Sequence, residues 1–517
     1  MSLLPRAWPR RAAISFGLAL TLGGCAVGPN FHRPPAPSTQ AYTARPLPRQ
    51  TSFAPVPGGA VQRIVVGGAI PGEWWRLFHS QSLDAVIRQA LQASPDLHAA
   101  RAALRQASER TAAARSALFP AAATDFSAGP NRTAQSLGAV PANGKLYYTL
   151  YTPELAVAYS PDVFGGTRRQ IESLAAREQV RRFALEAAYL SLTSDIVAVA
   201  IDEARLHAQI AATHDVIRIV RAQLRILRRE LALGQVAGAD VAAQEATLAE
   251  TQARLPPLEK ALARDGDRLT TLAGRFPSQP VARSFTLSSF TLPAKLPLSL
   301  PEQLVAQRPD VRAAAARLHS ASALVGVAIA NRLPQVTLTG SLGSSALTLG
   351  GLGLAGNLFW SVAGDVSQTV FDAGALRHEQ RAAQAALAYS GALYQRTVLR
   401  ACRNVADVLH ALFLDAAELS AADRAEQAAQ RSLDIARKQQ DLGQINYVGL
   451  LSAEAAYQHA RLALATAEAN RFLDSAALFE ALGGGWWNRG PQTDAGTVTA
   501  GRPAAAKGRT HSSGPHD

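Results

Sequence analysis

Leu83, Val86, Ile87, Ala90 and Leu91 recur at i, i+3, i+4, i+7 and i+8, which lays one apolar stripe along a helix. Ser94-Pro95-Asp96 then restarts the helix, with Ser as N-cap, Pro at the first helical position and an acid near the positive end of the dipole. This second, Ala-rich helix ends near Phe119-Pro120. The period then changes. Polar and apolar residues alternate strictly over 335–342 and again over 360–367, the mark of strands with one apolar and one polar face. Counterparts stand at about 121–132 and 147–160, where Leu155, Val157 and Tyr159 oppose Glu154, Ala156, Ala158 and Ser160. After Gly165-Gly166 the helical period returns and lasts to about Leu233. At ~1.5 Å per residue such a helix reaches roughly 100 Å. Ile217, Val220, Leu224, Leu227 and Leu231 alternate spacings of three and four, an a/d seam of coiled-coil type. Gly234 ends this helix, and a return helix runs from about Asp240 to Leu272, interrupted at Pro256-Pro257. A second long helix over 374–441, a turn at Gly443 and a return to Leu482 complete the pattern.

The second half of that pattern restates the first. Pro95, Leu104, Pro120 and Gly129 recur at one constant offset as Pro309, Leu318, Pro334 and Gly343. Phe164 matches Phe371, Leu233-Gly234-Gln235 matches Leu442-Gly443-Gln444, and Leu272-Ala273-Gly274 matches Leu482-Gly483-Gly484. A period of roughly 210 residues is far longer than the ~20–50 of a solenoid and means duplication of a half-molecule. The chain divides into a leader over 1–24, an arm over 25–72, a first repeat over 73–280, a linker over 281–300, a second repeat over 301–486 and a tail over 487–517. The tail is rich in Gly, Ala, Thr and Pro, and its part after 490 is expected to be disordered.

Two amphipathic strands per half have the ~9–11 residues that cross a bilayer. Four strands cannot close a barrel, since the smallest bacterial barrels need about eight. An open edge in lipid leaves unpaired amides at several kcal/mol each. If these strands span a membrane, identical chains must supply them jointly, with the polar face inside and the apolar face towards lipid.

The N-terminus carries an address. Arg6, Arg10 and Arg11 precede a short apolar stretch from Ala12 to Leu22, a secretory signal too short for a span. It ends in Leu22-Gly23-Gly24-Cys25, which resembles the bacterial lipobox whose Cys becomes acylated and N-terminal. Each buried methylene of an acyl chain contributes ~0.8 kcal/mol, so several chains on Cys25 hold firmly to a bilayer. Ala26, rather than Asp, follows Cys25, resembling the outer-membrane sorting signal of Gram-negative lipoproteins. The Pro-rich arm that follows reads as an extended tether without a core of its own.

The formal charge of +13 invites a nucleic-acid reading. Three of those charges lie in the leader and two more, net, in the tail, and no nucleic-acid module accompanies the rest. Arg218, Arg221, Arg225 and Arg228 run beside the seam as a solvated or inter-helix flank. Gly351-Leu352-Gly353-Leu354-Ala355-Gly356 matches a dinucleotide fingerprint in letters, but a strand follows it where a helix is required. His207 and His214 stand seven apart, about 10.5 Å along a helix, too far for one metal ion. No set of catalytic residues stands out, so neither an enzyme nor a metal or organic cofactor is expected; the covalent lipid on Cys25 is the one attached group. Cys402 reads as a small buried hydrophobe.

Several blocks in order resemble the TolC-like outer-membrane efflux factors, in their NodT/OprM-type lipoprotein branch. They are Cys25-Ala26-Val27-Gly28-Pro29-Asn30-Phe31, Trp74-Trp75-Arg76-Leu77-Phe78 with Leu83-Asp84, and Arg308-Pro309-Asp310-Val311-Arg312. Val370-Phe371-Asp372-Ala373-Gly374 and the ending Leu482-Gly483-Gly484-Gly485-Trp486 complete them. The resemblance implies a mainly α fold with a membrane β-barrel: a homotrimer forming twelve strands in the outer membrane above a long periplasmic α-helical tunnel with an equatorial belt. It also implies a periplasmic adaptor and an inner-membrane pump as partners, and a passive, gated duct as the function.

In that family the periplasmic turns close the tunnel, often with carboxylate rings. Asp240 falls at the first such turn, where a gate role and an N-cap role are both open. At the second, Gly449 and Ser452 stand where relatives commonly carry Asp, so the resemblance implies a weaker polar gate of Asp240, Gln444, Asn446 and Tyr447. Export of small toxic compounds is the expected activity. An exit duct for secreted protein and a pore-free coiled-coil lipoprotein are the alternatives.

Overall fold

The structure is a computed structural model and describes residues 26–134, 144–281, 284–445 and 447–489, without the side chain of Tyr447. The expected signal segment, Cys25 and the tail after Arg489 lie outside the described residues, as does Asn446.

The arm enters as extended chain and forms a short strand, β1 (Arg63–Val66). A 3-10 turn at Trp74–Phe78 leads into α1 (Gln81–Ala93) and α2 (Pro95–Arg115). Ser80 caps α1 by accepting from the Leu83 amide. Ser94 ends α1 and caps α2, accepting from the Leu97 amide with Pro95 behind it. The strands β2 (Ala121–Arg132) and β3 (Tyr147–Tyr159) follow, then α3 (Gly166–Ala232), α4 (Gly238–Ala253) and α5 (Leu255–Leu272). After β4 (Lys295–Leu298) the scheme recurs: α6 (Pro301–Gln307), α7 (Pro309–Ala330), β5 (Gln335–Ser344), β6 (Leu358–Ser367), α8 (Ala375–Asp441) and α9 (Tyr447–Ala481).

The duplication extends to lengths and caps. α3 and α8 are both 67 residues long, about 100 Å each. Each starts after a left-handed glycine, Gly165 or Gly374. Each also has an aspartate whose carboxylate takes two of the orphan amides: Asp162 accepts from Thr167 and Arg168, Asp372 from Gly374 and Leu376. The return helices differ. In the first repeat the helix breaks at Arg254, and Pro256-Pro257 open α5, where a missing amide costs nothing. In the second, α9 runs unbroken for 35 residues. Along the a/d seam Ile217, Val220, Leu224 and Leu227 are buried, while Leu231 is exposed at the tip.

The main core gathers where α1, the middle stretches of α3 and α8, the C-terminal end of α9, and the arm meet. Trp74, Trp75, Phe78, Phe285, Phe472 and Phe479 are fully enclosed or nearly so, and Trp74 stacks on Phe479 with centroids 5.4 Å apart. The arm is extended as its composition predicts, yet it is not detached. β1 pairs in parallel with β4 of the linker, from Arg63 opposite Lys295 to Val66 opposite Leu298. One of its ties to the body is Arg471 of α9, which is 0% exposed and donates to Leu412 O, Thr51 Oγ1 and Gln62 Oε1. Gln62 in turn donates to Pro293 O and Ser475 Oγ. A buried guanidinium without these acceptors would cost several kcal/mol.

Candidate functional site: an uncovered sheet above a helical shaft

The strands form one antiparallel sheet in the order β2-β3-β5-β6. Its register decides which residues share a face, because directly opposed residues point the same way. Thr124 opposes Leu155, and Leu155 opposes Leu342, which opposes Trp360. Val157 opposes Gly340, which opposes Val362. These residues, with Phe126, Leu338 and Val366, make one apolar face. On the other face Asp125 opposes Glu154, Ser341 opposes Ser361 and Thr337 opposes Asp365. The Ser341 and Ser361 hydroxyls lie 2.9 Å apart, which fixes them on one side.

Among the described residues no layer covers the apolar face: Trp360 is 75% exposed and Val362 79%. A continuous apolar sheet face on the surface needs a non-aqueous neighbour. The outer edges of β2 and β6 have no strand partner among the described residues. Both features are met if the sheet is one sector of a closed barrel, its apolar side in lipid and its polar side around water. The loop carrying Gly351 to Gly356 forms two 3-10 turns and leads into β6, so it opens no α-helix for a phosphate.

Below the sheet α3 and α8 descend to the two turns at Gly234 and Gly443. Asp240 sits at the third residue of α4 and its carboxylate accepts from the Ala237 amide at 3.1 Å. Ala237 has no side-chain acceptor to reciprocate, so this is half of a capping box. Gln444 is exposed and its amide donates to Gln439 O at 2.8 Å. Each is tied to its own turn. Tyr447 opens α9. Ser452 bonds back to Val448 O within the helix.

Just inside these turns a small apolar cluster of Leu224, Leu227, Val241, Leu433, Ala436, Leu450 and Ala453 joins both hairpins of the chain. The next layer is polar and was not flagged by the sequence. Gln244 donates to Val220 O and to Gln223 Oε1. Glu454, 3% exposed, lies beside Gln223 and Arg437, and burial pushes its carboxyl up to about 7. A seam of period 3.5 interrupted by Gln and Glu is a weak sequence signal, since one polar residue in a heptad reads equally as a surface position. Of the basic flank, Arg218 pairs with Asp215 and Arg228 with Glu245, and both are exposed. No cluster of His, Cys, Asp and Glu among the described residues is suited to a metal ion. His207 is engaged with Glu203 and Ser284.

The family described as outer membrane efflux protein matches residues 86–275 and 300–484, one segment for each repeat. The chain is 25% identical over 481 residues to the toluene efflux pump outer membrane protein TtgC of Pseudomonas putida, covering 92% of this chain and 96% of that protein. It is 26% identical over 445 residues to the pyoverdine export outer membrane protein OpmQ, also of Pseudomonas putida, covering 85% and 94%. Among solved structures, the outer-membrane channel OprN superposes with a TM-score of 0.80 at 26% identity, covering 89% of this chain and all of that one. The outer membrane protein VceC of Vibrio cholerae superposes with a TM-score of 0.75 at 25% identity, covering 81% and all of that chain.

Proposed function

The chain belongs to the outer membrane efflux protein family, and from that premise we propose that it is the passive, gated duct of a tripartite pump for small toxic compounds. Three copies supply twelve strands and six helical hairpins. The barrel sits in the outer membrane of a Gram-negative cell and the shaft reaches into the periplasm. There an adaptor joins it to an inner-membrane transporter, which supplies the energy. Covalent lipid on Cys25 adds a second hold on the membrane.

The observation that carries this reading is the uncovered amphipathic sheet with open edges standing on two 67-residue helices. A pore-free coiled-coil lipoprotein would have no use for such a face. Relatives named for toluene and pyoverdine export favour small molecules over a secreted protein as cargo. Purified protein in a planar bilayer is expected to give stepwise single-channel currents from a three-chain species; a non-conducting single chain would overturn the duct. A photo-crosslinker at Gln444 in living cells is expected to capture a periplasmic adaptor, and capture of none removes the pump partnership.

Asp240 narrows the tunnel mouth in this reading while also holding the Ala237 amide. Asp240→Ala is then expected to raise conductance and to cost about 0.5–1.5 kcal/mol of stability. Unchanged conductance with the same loss of stability would leave only the capping role.

A further inference from the structure

Immediately after Cys25 the arm crosses the joint between β3 and α3, and there it is held by one side chain. Arg169, in the first turns of α3, is 5% exposed. Its Nε donates to Val27 O at 3.1 Å and its Nη2 to Asn30 Oδ1 at 2.7 Å. The same Nη2 lies 3.4 Å from Gly28 O and 3.5 Å from Ala26 O. The remaining nitrogen, Nη1, donates to Glu172 Oε2 at 2.8 Å. The other oxygen of Glu172 is 2.7 Å from His319 Nε2 on α7. Phe31 of the arm stacks on the His319 ring, centroids 4.3 Å apart and 13° from parallel. The Val27 amide closes the contact by donating to Phe164 O at 3.1 Å.

Glycines make the approach possible. A Cβ on Gly28, whose φ is +94°, would lie 2.4 Å from the Cα of Gly326. One on Gly326 would meet both Val27 O and the Arg169 side chain at 2.8 Å, and one on Gly165 would meet Ala26 at 2.5 Å. The body has therefore cleared a seat for this stretch of chain. A flat fork of five donors is what several converging carbonyls require; an ammonium on a flexible stem is not.

We propose that Arg169 is the positioning residue of the membrane anchor: it fixes residues 26–31 at the strand–helix joint, and so sets the level at which the acyl chains of Cys25 leave the protein. Ala26 is the sequence neighbour of Cys25, so its seat lies one residue, ~3.8 Å between Cα atoms, from the expected lipid attachment. The joint marks the lower rim of the apolar sheet face, so the two membrane holds share one level. This inference rests on the lipidated-channel reading.

The test is amide hydrogen exchange on the full-length trimer in detergent, with the N-terminal peptide weighed in the same samples. In the wild type, the Val27 amide, which donates to Phe164 O, is expected to be protected. Arg169→Lys keeps a cation for Glu172 but loses the fork, so exchange at the Val27 amide is expected to quicken by roughly tenfold or more, with α7 unchanged. Asn30→Ala, which removes the shortest arm contact and leaves α3 intact, is expected to act in the same direction and serves if Arg169→Lys fails to assemble. A role confined to helix packing would lower the melting temperature of Arg169→Lys without touching exchange in the arm. Wild-type protection of Val27 in both variants, or an unprotected Val27 amide in the wild type, overturns the clamp. An unmodified Cys25 in the wild type overturns the lipid anchor instead, and the mass of the peptide tells the two apart.

Discussion

Glu454 shows how one side chain can make the shaft sensitive to its surroundings. It is a carboxyl enclosed between the hairpins, beside Gln223 of α3 and Arg437 of α8. Burial favours its neutral form, so the folded protein binds this proton more tightly than the unfolded chain. The contribution of the layer to stability is then greatest below the usual carboxylate range. It falls as pH rises towards the folded value of about 7, where the buried group ionises. Single channels are expected to open more often at pH 8 than at pH 5, and Glu454→Gln is expected to flatten that component. An equally steep pH response in the variant would assign the effect to other groups.

Among the elements, the strands were the most legible in sequence. Alternation at 335–342 and 360–367 fixes both faces of β5 and β6, because a one-residue slip would exchange every side chain between lipid and lumen. The break before Pro256-Pro257 was equally plain, since no helix interior tolerates two missing amides. What stayed hidden are contacts between residues remote in sequence. Arg169 and Arg471 read as ordinary charged positions on helices, and only the fold brings the arm onto them. The polar layer at Gln244 and Glu454 was hidden for the same reason. The faces of the sheet support a paired prediction. Val362→Lys places a charge on the apolar face and is expected to cost about 2–4 kcal/mol near the bilayer midplane. Thr339→Lys, on the polar face, is expected to assemble normally. Heat-resistance of the trimer on gels reads both, and equal tolerance would reverse the assignment of the faces.

At the scale of the molecule, the core ties both repeats and the arm into one unit. Trp74 from the first repeat stacks on Phe479 from the second, and Arg471 holds the arm between them. Calorimetry of the body below the barrel is expected to show one transition rather than one per repeat. Trp74→Ala is expected to move that whole transition downwards, at a cost of about 3–5 kcal/mol. Two separate transitions, with only one shifted, would mean that the halves are independent.

The break at Arg254 has a geometric corollary. Duplication and threefold assembly would together give six equivalent staves around the shaft, but only the first repeat of each chain carries the joint between α4 and α5, while α9 is continuous. Stiff and articulated staves therefore alternate around the circumference. A mouth built this way dilates along three directions and not six, so its open cross-section should be triangular rather than round.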